Sequence, residues 1–278
     1  GGENNVPSIS AIWASYRDAE LACQLTGRRA REAKPMSRVN TPAKVAALAS
    51  ALLTAAAITW ASPATAAPPL PPSPAITPGA GIASHNADWT DGTSCTAGWL
   101  AHNQAGRPVM LSAGHCNHGD VAMKWTQTDA YETIGTFTQS IDQGSTGEDT
   151  DIGLITLSNN SIPSDTRVLS RRPVEGATTD VKIGDILCKY GNTTGRQCGP
   201  VLATPTASKV RFDAAGAPGD SGGPVYLIRP DGDAIAVGVT LGGEGGGETV
   251  AELVEPWLQK WNLTLDTTPR PTPTDGTR

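Results

Sequence analysis

The sequence has few aromatic residues, few cysteines and no cluster of basic residues. Aromatic residues make up 5% of the 278 residues, five residues are cysteine, and the formal net charge is −6. A chain with this acidic balance lacks the positive patch that a nucleic-acid groove requires, so we expect no nucleic-acid partner. The 31 glycines and 22 prolines are typical of a β-rich domain with polar ends, and they exclude a coiled coil or a long helical bundle.

The sequence also lacks an apolar run long enough to span a bilayer. Its longest run, residues 45–60 (VAALASALLTAAAITW), falls short of the roughly 20 residues that a spanning helix needs. Met36 and basic residues precede this run, and an Ala-x-Ala site at residues 64–66 follows it, which is the pattern of a secretory signal peptide. We therefore predict a secreted protein with no stable membrane insertion after signal cleavage.

The signal peptide, at residues 36–66, divides the chain into segments. Residues 1–35 precede a plausible initiator methionine and show no strong periodic pattern, and we interpret them as an upstream segment outside the real protein. Residues 67–84 are predicted to be a Pro-rich linker and residues 265–278 a disordered Pro/Thr-rich tail. The folded domain is then expected at residues 85–264.

Short apolar segments separated by Gly, Asn and Asp predict an all-β sandwich or barrel. The candidate strands are 107–113, 121–125, 133–139, 151–157, 179–191, 208–214, 223–229 and 234–241. Residues 248–262 (ETVAELVEPWLQKWN) have apolar residues at helical spacing and predict a C-terminal helix. Pro256 lies inside this stretch and either kinks the helix or marks its start.

Four cysteines follow the predicted signal peptide, and an even number in an exported chain points to two disulfides. They are Cys95, Cys116, Cys188 and Cys198. Residues 115–118 (HCNH) also suggest a metal site, but Cys116 is better used in a disulfide. We therefore predict neither a metal nor another cofactor.

The hexapeptide GDSGGP, residues 219–224, places Ser221 in a glycine-rich turn. Such a turn is either an ordinary surface turn or a loop that exposes one hydroxyl for chemistry. The sequence GDSGG also fits the G-x-S-x-G elbow of α/β-hydrolases, in which the catalytic histidine follows the serine. That interpretation fails because every histidine precedes Ser221. The histidines are His85, His102, His115 and His118.

Two further polar residues lie at the ends of predicted strands, in the order that a His-Asp-Ser triad requires. His115 follows an apolar run in LSAGHC, and Asp151 begins the apolar strand DIGLITL. A serine hydroxyl needs a base to remove its proton, imidazole has a suitable pKa, and a buried carboxylate orients the imidazole. Asp149 is the alternative acid, but Asp151 is directly followed by apolar strand residues and is preferred.

The stretches LSAGHC, DIGLI and GDSGGP together resemble the signature motifs of chymotrypsin-like (trypsin-fold) serine endopeptidases. CKYGNTTGRQCG (188–199) and GVTLGGEG (238–245) resemble the bacterial streptogrisin and alpha-lytic branch of that family. The resemblance implies two six-stranded antiparallel β-barrels with a C-terminal α-helix and an active site between them. It also implies disulfides Cys95–Cys116 and Cys188–Cys198.

The resemblance assigns a role to each motif residue. His115 would be the general base, Asp151 would orient it, and Ser221 would be the nucleophile. The backbone N–H groups of Gly219 and Ser221 would form the oxyanion hole. Asp220 would enter a buried ion pair that supports the loop, with a partner that the sequence does not identify.

The resemblance also places the substrate-binding pocket. Ala215 would lie at its base, where trypsin-like members have Asp, and the remaining walls would be formed by Thr240, Leu241 and Gly243. A pocket without a carboxylate predicts cleavage after uncharged residues, with apolar residues preferred, because a cationic side chain would be buried unpaired. Asp213 is the alternative, because a shift of its loop would bring a carboxylate into the pocket and favour basic residues.

We therefore expect a monomeric secreted serine endopeptidase that acts on polypeptides. The alternative is a catalytically silent secreted binding protein on the same fold.

Overall fold

The computed structural model describes residues 70–269, except residues 147, 159–160 and 244–246. The predicted upstream segment, the signal peptide, the first residues of the predicted linker and residues 270–278 lie outside the described residues.

The described residues form fifteen β-strands, a 3₁₀ turn and one short α-helix. The first seven strands are β1 (Gly81–His85), β2 (Gly92–Thr96), β3 (Leu100–Asn103), β4 (Pro108–Ser112), β5 (Asp120–Trp125), β6 (Ala130–Asp142) and β7 (Asp151–Leu157), with the 3₁₀ turn at Gly114–Cys116. The remaining elements are β8 (Val174–Ala177), β9 (Ile186–Gly191), β10 (Gly195–Pro200), β11 (Lys209–Phe212), β12 (Pro224–Ile228), β13 (Ala234–Gly242), β14 (Thr249–Leu253), α1 (Glu255–Lys260) and β15 (Leu263–Leu265).

The strands make two sheets, and except for β15 the strands of the first sheet precede those of the second along the chain. The first sheet has eight strands in the order β15-β3-β4-β7-β6-β5-β1-β2. The second has seven, in the order β10-β9-β12-β13-β14-β11, with β8 parallel to β13. The predicted all-β class with a C-terminal helix is confirmed, but the sheets hold more than six strands each. Two of the additional strands are β15, which returns to pair with β3, and the short β8.

A hydrophobic cluster joins the two sheets. It includes Trp99 and Ile152 from the first half of the described chain, Tyr226 from the second sheet and Trp257 from α1. The rings of Trp99 and Tyr226 meet edge to face with centroids 6.5 Å apart, and Trp99 Nε1 donates to the carbonyl of Gly238 at 2.8 Å. Burial of each such large apolar side chain contributes about 1.5–3 kcal/mol. This cluster therefore fixes the sheets against each other behind the candidate site.

The segment before β1 is packed against the first sheet, although its proline content predicted a solvated linker over residues 67–84. Leu70 and Ile76 are 3% and 2% exposed. Ser73 and Ile76 form isolated bridges with Trp125 and Ser164. The apolar residues between the prolines provide buried contacts that composition alone does not reveal. The described part of the predicted linker, residues 70–84, is therefore part of the folded domain.

The folded domain also continues past the predicted boundary at residue 264. β15 ends at Leu265, and the amide of Asp266 then donates to the carbonyl of Leu100 at 3.0 Å. The Asp266 carboxylate lies 2.6 Å from His102 Nδ1. The first residues of the predicted tail are therefore attached to the first sheet.

The C-terminal helix is shorter than the predicted 248–262. The first part of that stretch is β14, which pairs with both β13 and β11, so its apolar residues are buried by strand pairing. The helix begins at Glu255 with Pro256 in its first turn, where the fixed φ of proline is favourable. The alternative that Pro256 marks the helix start is confirmed. Within the described residues, no helix is both long enough and apolar enough to cross a membrane.

Candidate active site

His115 lies in the 3₁₀ turn that directly follows β4. The preceding Gly114 has no room for a side chain, because a Cβ atom there would overlap the carbonyl of Ile141. On the other side, Cys116 is bonded to Cys95 of β2. The turn is therefore fixed at both neighbours of His115, whose side chain remains 32% exposed.

Both predicted disulfides, Cys95–Cys116 and Cys188–Cys198, are confirmed in the structure. The second lies at a paired position of the β9–β10 hairpin. Because Cys116 is bonded to Cys95, it offers no thiolate, and His118 of the HCNH sequence lies 3.0 Å from the Asp91 carboxylate. The alternative of a metal site in HCNH therefore lacks its sulfur ligand.

The Cys95–Cys116 disulfide is expected to stabilise the fold and the position of His115. It joins residues separated by 21 positions. Closing a loop of this length contributes about 3 kcal/mol in the chain-entropy model. We predict that the Cys95→Ala/Cys116→Ala double variant lowers the free energy of unfolding by about that amount in urea titrations. Unchanged stability, or free thiols at these positions in the non-reduced wild-type protein, would contradict the prediction.

Asp151 is the first residue of β7 and is 2% exposed. Its Oδ2 atom lies 2.6 Å from His115 Nδ1. Its Oδ1 atom accepts hydrogen bonds from the amides of Gly114 at 2.6 Å and His115 at 3.0 Å. Because an ionised carboxylate only accepts, Nδ1 of His115 carries the proton, and Nε2 is left free to accept one. Asp149, the alternative acid, instead accepts from the hydroxyl of Thr146 at 3.3 Å.

The surroundings of His115 favour its protonated form. Burial of the imidazole by itself lowers the pKa. The hydrogen bond to Asp151 and the negative charges of Asp151 and Asp142 outweigh this effect, so the pKa of His115 is raised above its ordinary value of 6.5. A base with this environment is suited to holding the positive charge that it gains when it removes a proton.

Ser221 lies in the turn before β12, and its backbone is bonded to both sheets. Its carbonyl accepts from the amide of Thr96 in β2 at 2.8 Å, and the amide of the next residue, Gly222, donates to the carbonyl of Thr240 in β13 at 2.6 Å. A Cβ atom at Gly222 would overlap the hydroxyl of Ser112, the last residue of β4. The structure therefore brings the Ser221 turn against the strand end that leads to His115.

The hydroxyl of Ser221 donates to the carbonyl of Leu241 at 3.4 Å. This bond is long, so it is weak, and rotation about the Cα–Cβ bond releases the hydroxyl. Among the described residues the structure shows no hydrogen bond between the Ser221 hydroxyl and His115, and a base and its nucleophile are often farther apart before substrate binds than in the substrate complex. Gly219, two residues earlier, has a φ of +97°. Glycine adopts this conformation readily, so the loop carries its special backbone geometry without strain.

Asp220 is paired with Lys189, a residue that the sequence did not identify. The two side chains are 1% and 0% exposed, and Lys189 Nζ lies 2.7 Å from Asp220 Oδ2. The same carboxylate accepts from the Thr194 hydroxyl at 2.6 Å and from the amides of Thr193 and Thr194 at 2.9 and 3.0 Å. The Asp220 charge is therefore neutralised and hydrogen-bonded by side chains and amides from within the second sheet.

These contacts decide the pKa of the Asp220 carboxyl. Burial alone raises the pKa, but the hydrogen bonds and the Lys189 charge outweigh it, and the pKa is lowered. The available sequence signal for Lys189 was its place in CKYG, where it is the single charged residue in an otherwise uncharged strand, β9. A single lysine in such a strand indicates a buried cation, but it does not identify the carboxylate with which the lysine pairs.

Glu252 of β14 is a second buried acid behind the site that sequence reasoning missed. It is 0% exposed, and its carboxylate accepts from Lys209 Nζ at 3.1 Å and from Trp257 Nε1 at 3.0 Å. The amide of Asp151 lies 3.4 Å from Glu252 Oε2. Burial raises the pKa of Glu252 and outweighs its hydrogen bonds. Asp151 of the first sheet is thus in contact with a polar network of the second.

The residues predicted to form the substrate pocket do not share one environment. Ala215 is exposed, and a Cβ atom on its neighbour Gly216 would contact the Thr249 hydroxyl at 3.4 Å and the amide of Gly243 at 3.9 Å. The Thr240 side chain is fully buried. Leu241 is 4% exposed and packs in the hydrophobic cluster that contains Cys95 and Cys116.

The segment that contains Ala215 lies beside β14, because the Thr249 hydroxyl donates to the carbonyl of Ala214 at 2.7 Å. Leu241 faces the core of the first sheet, and its carbonyl is the group that reaches Ser221. The side chain of Asp213, the alternative pocket acid, is exposed, and its amide donates to the carbonyl of Pro200 at 2.9 Å.

Comparison with known proteins agrees with this architecture. No family model matches the chain. The chain is 33% identical over 188 residues to streptogrisin-C of Streptomyces griseus, in an alignment that covers 59% of this chain and 36% of streptogrisin-C. The chain thus spans well under half the length of the curated relative that it matches.

Solved structures give the same fold. The crystal structure of Nocardiopsis protease (NAPase) matches with a TM-score of 0.51 and 28% identity, covering 69% of this chain and 99% of that one. Thermobifida fusca protease A matches with a TM-score of 0.51 and 24% identity, covering 70% and 100%. The chain has the chymotrypsin-like fold, and it is similar in sequence to bacterial serine proteases of the streptogrisin type.

Proposed function

We propose that the chain is a serine endopeptidase in which Ser221, His115 and Asp151 form the catalytic triad. The observation that carries this proposal is the 2.6 Å contact between Asp151 Oδ2 and His115 Nδ1, made beside the turn that holds the half-buried Ser221. The similarity to streptogrisin-C and to Nocardiopsis protease supports the same reaction.

In this mechanism the hydroxyl oxygen of Ser221 attacks the scissile carbonyl carbon, and its proton moves to Nε2 of His115. Asp151 stabilises the imidazolium through the proton on Nδ1. The amides of Gly219 and Ser221 are the proposed donors to the oxyanion, and each such donor contributes about 3–4 kcal/mol. His115 then gives its proton to the leaving amine, which breaks the C–N bond and leaves an ester on Ser221. Water, deprotonated by His115, hydrolyses this ester and restores the hydroxyl.

The reaction is proposed to occur after export. Two disulfides indicate an oxidising compartment, because disulfides are rare in the reducing cytosol. The signal peptide proposed for this export lies outside the described residues. The proposed partners are polypeptide substrates, which reach the site as extended segments, and the enzyme is proposed to work as a monomer.

The proposed pocket favours uncharged residues before the scissile bond. Ala215 supplies no carboxylate, and burying a lysine or arginine without a partner costs several kcal/mol. A peptide-library digest is therefore expected to show predominantly uncharged, mainly apolar residues at that position. Dominant lysine or arginine, lost in Asp213→Ala, would show instead that the Asp213 carboxylate serves the pocket.

The activity itself is tested with an unfolded protein substrate. Purified wild-type protein is expected to cleave reduced, alkylated casein, and Ser221→Ala, prepared identically, is expected to leave it intact. The matched control is Ser208→Ala, which removes a hydroxyl that contacts Glu148 in an exposed loop and is expected to keep full activity. Equal cleavage by wild type and Ser221→Ala would overturn the proposal.

A further inference from the structure

A second carboxylate lies beside the candidate base. Asp142 is the last residue of β6, and in the antiparallel pairing of β6 with β7 it stands directly opposite Asp151. Directly opposed residues of an antiparallel pair project from the same face, with Cβ atoms about 5 Å apart. The Asp142 side chain therefore leaves the sheet on the face where Asp151 meets His115.

The backbone next to Asp142 confirms this closeness. A Cβ atom on Gly114, the neighbour of His115, would overlap the carbonyl of Ile141, the neighbour of Asp142. The negative charge of Asp142 is also one of the influences that raise the pKa of His115. Asp142 itself is exposed, whereas Asp151 is buried.

Two carboxylates in this register would ordinarily repel each other, because like charges directly opposite on a sheet are destabilising. A positive charge on His115 offsets that repulsion, because His115 contacts Asp151 and lies within range of the Asp142 charge. The arrangement is therefore unfavourable while His115 is neutral and becomes favourable when the imidazole takes up a proton.

The described strands that pack against the His115 turn place few ionisable groups near His115. The 3₁₀ turn of His115 packs against β2, β6 and β7. Within these described strands, β7 contributes Asp151 and β6 contributes Asp142 at this end, and β2 (GTSCT) contributes only the disulfide-bonded Cys95. Asp220, in the Ser221 turn, is already neutralised by Lys189.

We propose that Asp142 is a second acidic positioning residue for His115, which stabilises the imidazolium formed during catalysis from β6, the strand paired with β7. The inference rests on the triad proposed above. Asp142 exchanges no proton with the substrate, and it acts only through the charge that it presents to the ring. Because Asp142 is exposed, salt is expected to weaken its effect.

The test compares Asp142→Asn with Glu148→Gln. Both variants remove one negative charge from the β6–β7 region, but Glu148 contacts the hydroxyl of Ser208 at 3.2 Å rather than the His115 turn. NMR titration of ¹³C-labelled histidine measures the pKa of His115, with the resonance assigned by its loss in His115→Ala. The pH profile of kcat/KM is measured alongside, with urea unfolding as the measure of stability.

Asp142→Asn is expected to lower the pKa of His115 by about 0.3–0.5 of a pH unit at low salt. The acid limb of the kcat/KM profile is expected to move to lower pH by the same amount. Its stability is expected to equal or exceed that of the wild type, because the opposed like charges are gone. Glu148→Gln is expected to leave the His115 pKa in place. An unchanged pKa in Asp142→Asn, or an equal change in Glu148→Gln, would overturn the inference. If the protein lacks peptidase activity altogether, the NMR titration still decides the role of Asp142, so this failure is distinct from failure of the triad.

Discussion

Ser221→Ala and His115→Ala are each expected to lower turnover by roughly 10⁴–10⁶-fold, and the double variant is expected to be little worse than either. The residues act as a unit, because without the base the hydroxyl stays protonated, and without the hydroxyl the base has no proton to remove. Steady-state kinetics on an uncharged peptide substrate measures the loss. Circular dichroism and urea unfolding check that the fold is intact.

The most informative control for this prediction is His118→Ala. His118 lies three residues from His115 but is bonded to the exposed Asp91. Turnover of His118→Ala is therefore expected to remain close to that of the wild type. Additive losses in the Ser221→Ala/His115→Ala double variant would mean that the two residues contribute through separate routes, which contradicts a triad.

Lys189→Met is expected to destabilise the fold by about 3–5 kcal/mol, because it leaves the Asp220 carboxylate buried without its cation. The Asp220 carboxylate also accepts hydrogen bonds from the amides of Thr193 and Thr194. A rearrangement of this carboxylate would therefore move the loop that carries Ser221. Turnover is therefore expected to fall together with stability. Urea unfolding and peptide kinetics measure the two effects.

The chain provides a matched control for this variant. Lys182 forms an ion pair with Asp185 at 3.5 Å, but the lysine side chain is 80% exposed. Exposed pairs contribute about 0–1 kcal/mol, so Lys182→Met is expected to have little effect. If Lys189→Met proves as stable and active as Lys182→Met, the buried pair has no role in shaping the Ser221 turn.

Asp220 determines how its own contribution to the free energy of unfolding changes with pH. Its pKa is lowered in the folded protein, so the folded state holds the ionised carboxylate more strongly than the unfolded chain does. The stability from Asp220 is therefore present above the unfolded pKa of about 3.9 and is lost as the pH falls through the folded value. This contribution is expected to be absent in the Asp220→Asn/Lys189→Met variant.

The sequence predicted those features that depend on local pattern. A short apolar segment predicted β7 with its observed bounds, and the motifs predicted that His115, Asp151 and Ser221 lie beside strand ends, where the structure has them. Local pattern was less reliable where the spacing of apolar residues fits both a helix and a buried strand. Residues 249–253 have helical spacing, but pairing with β11 and β13 makes them a strand.

The features that the sequence did not predict depend on partners distant along the chain. Lys189 and Asp220 are 31 positions apart, and Asp151 and Glu252 are 101 apart. Nothing local to Lys189 or Glu252 specifies the partner, because the pairing of β9 with β12 brings Lys189 to Asp220, and the packing of the two sheets brings Glu252 to Asp151. Leu70 and Ile76 lie inside the proline-rich segment, and their burial likewise depends on residues distant along the chain.

The central claim is that Ser221 is a nucleophile activated by His115, and covalent labelling tests it most directly. A fluorophosphonate probe reacts with an activated serine hydroxyl, and mass spectrometry of the digested protein locates the adduct. One adduct is expected on the wild-type protein, on Ser221, strongly reduced in His115→Ala and absent from Ser221→Ala. A folded wild-type protein that stays unlabelled, or one that is labelled at another residue, would contradict it.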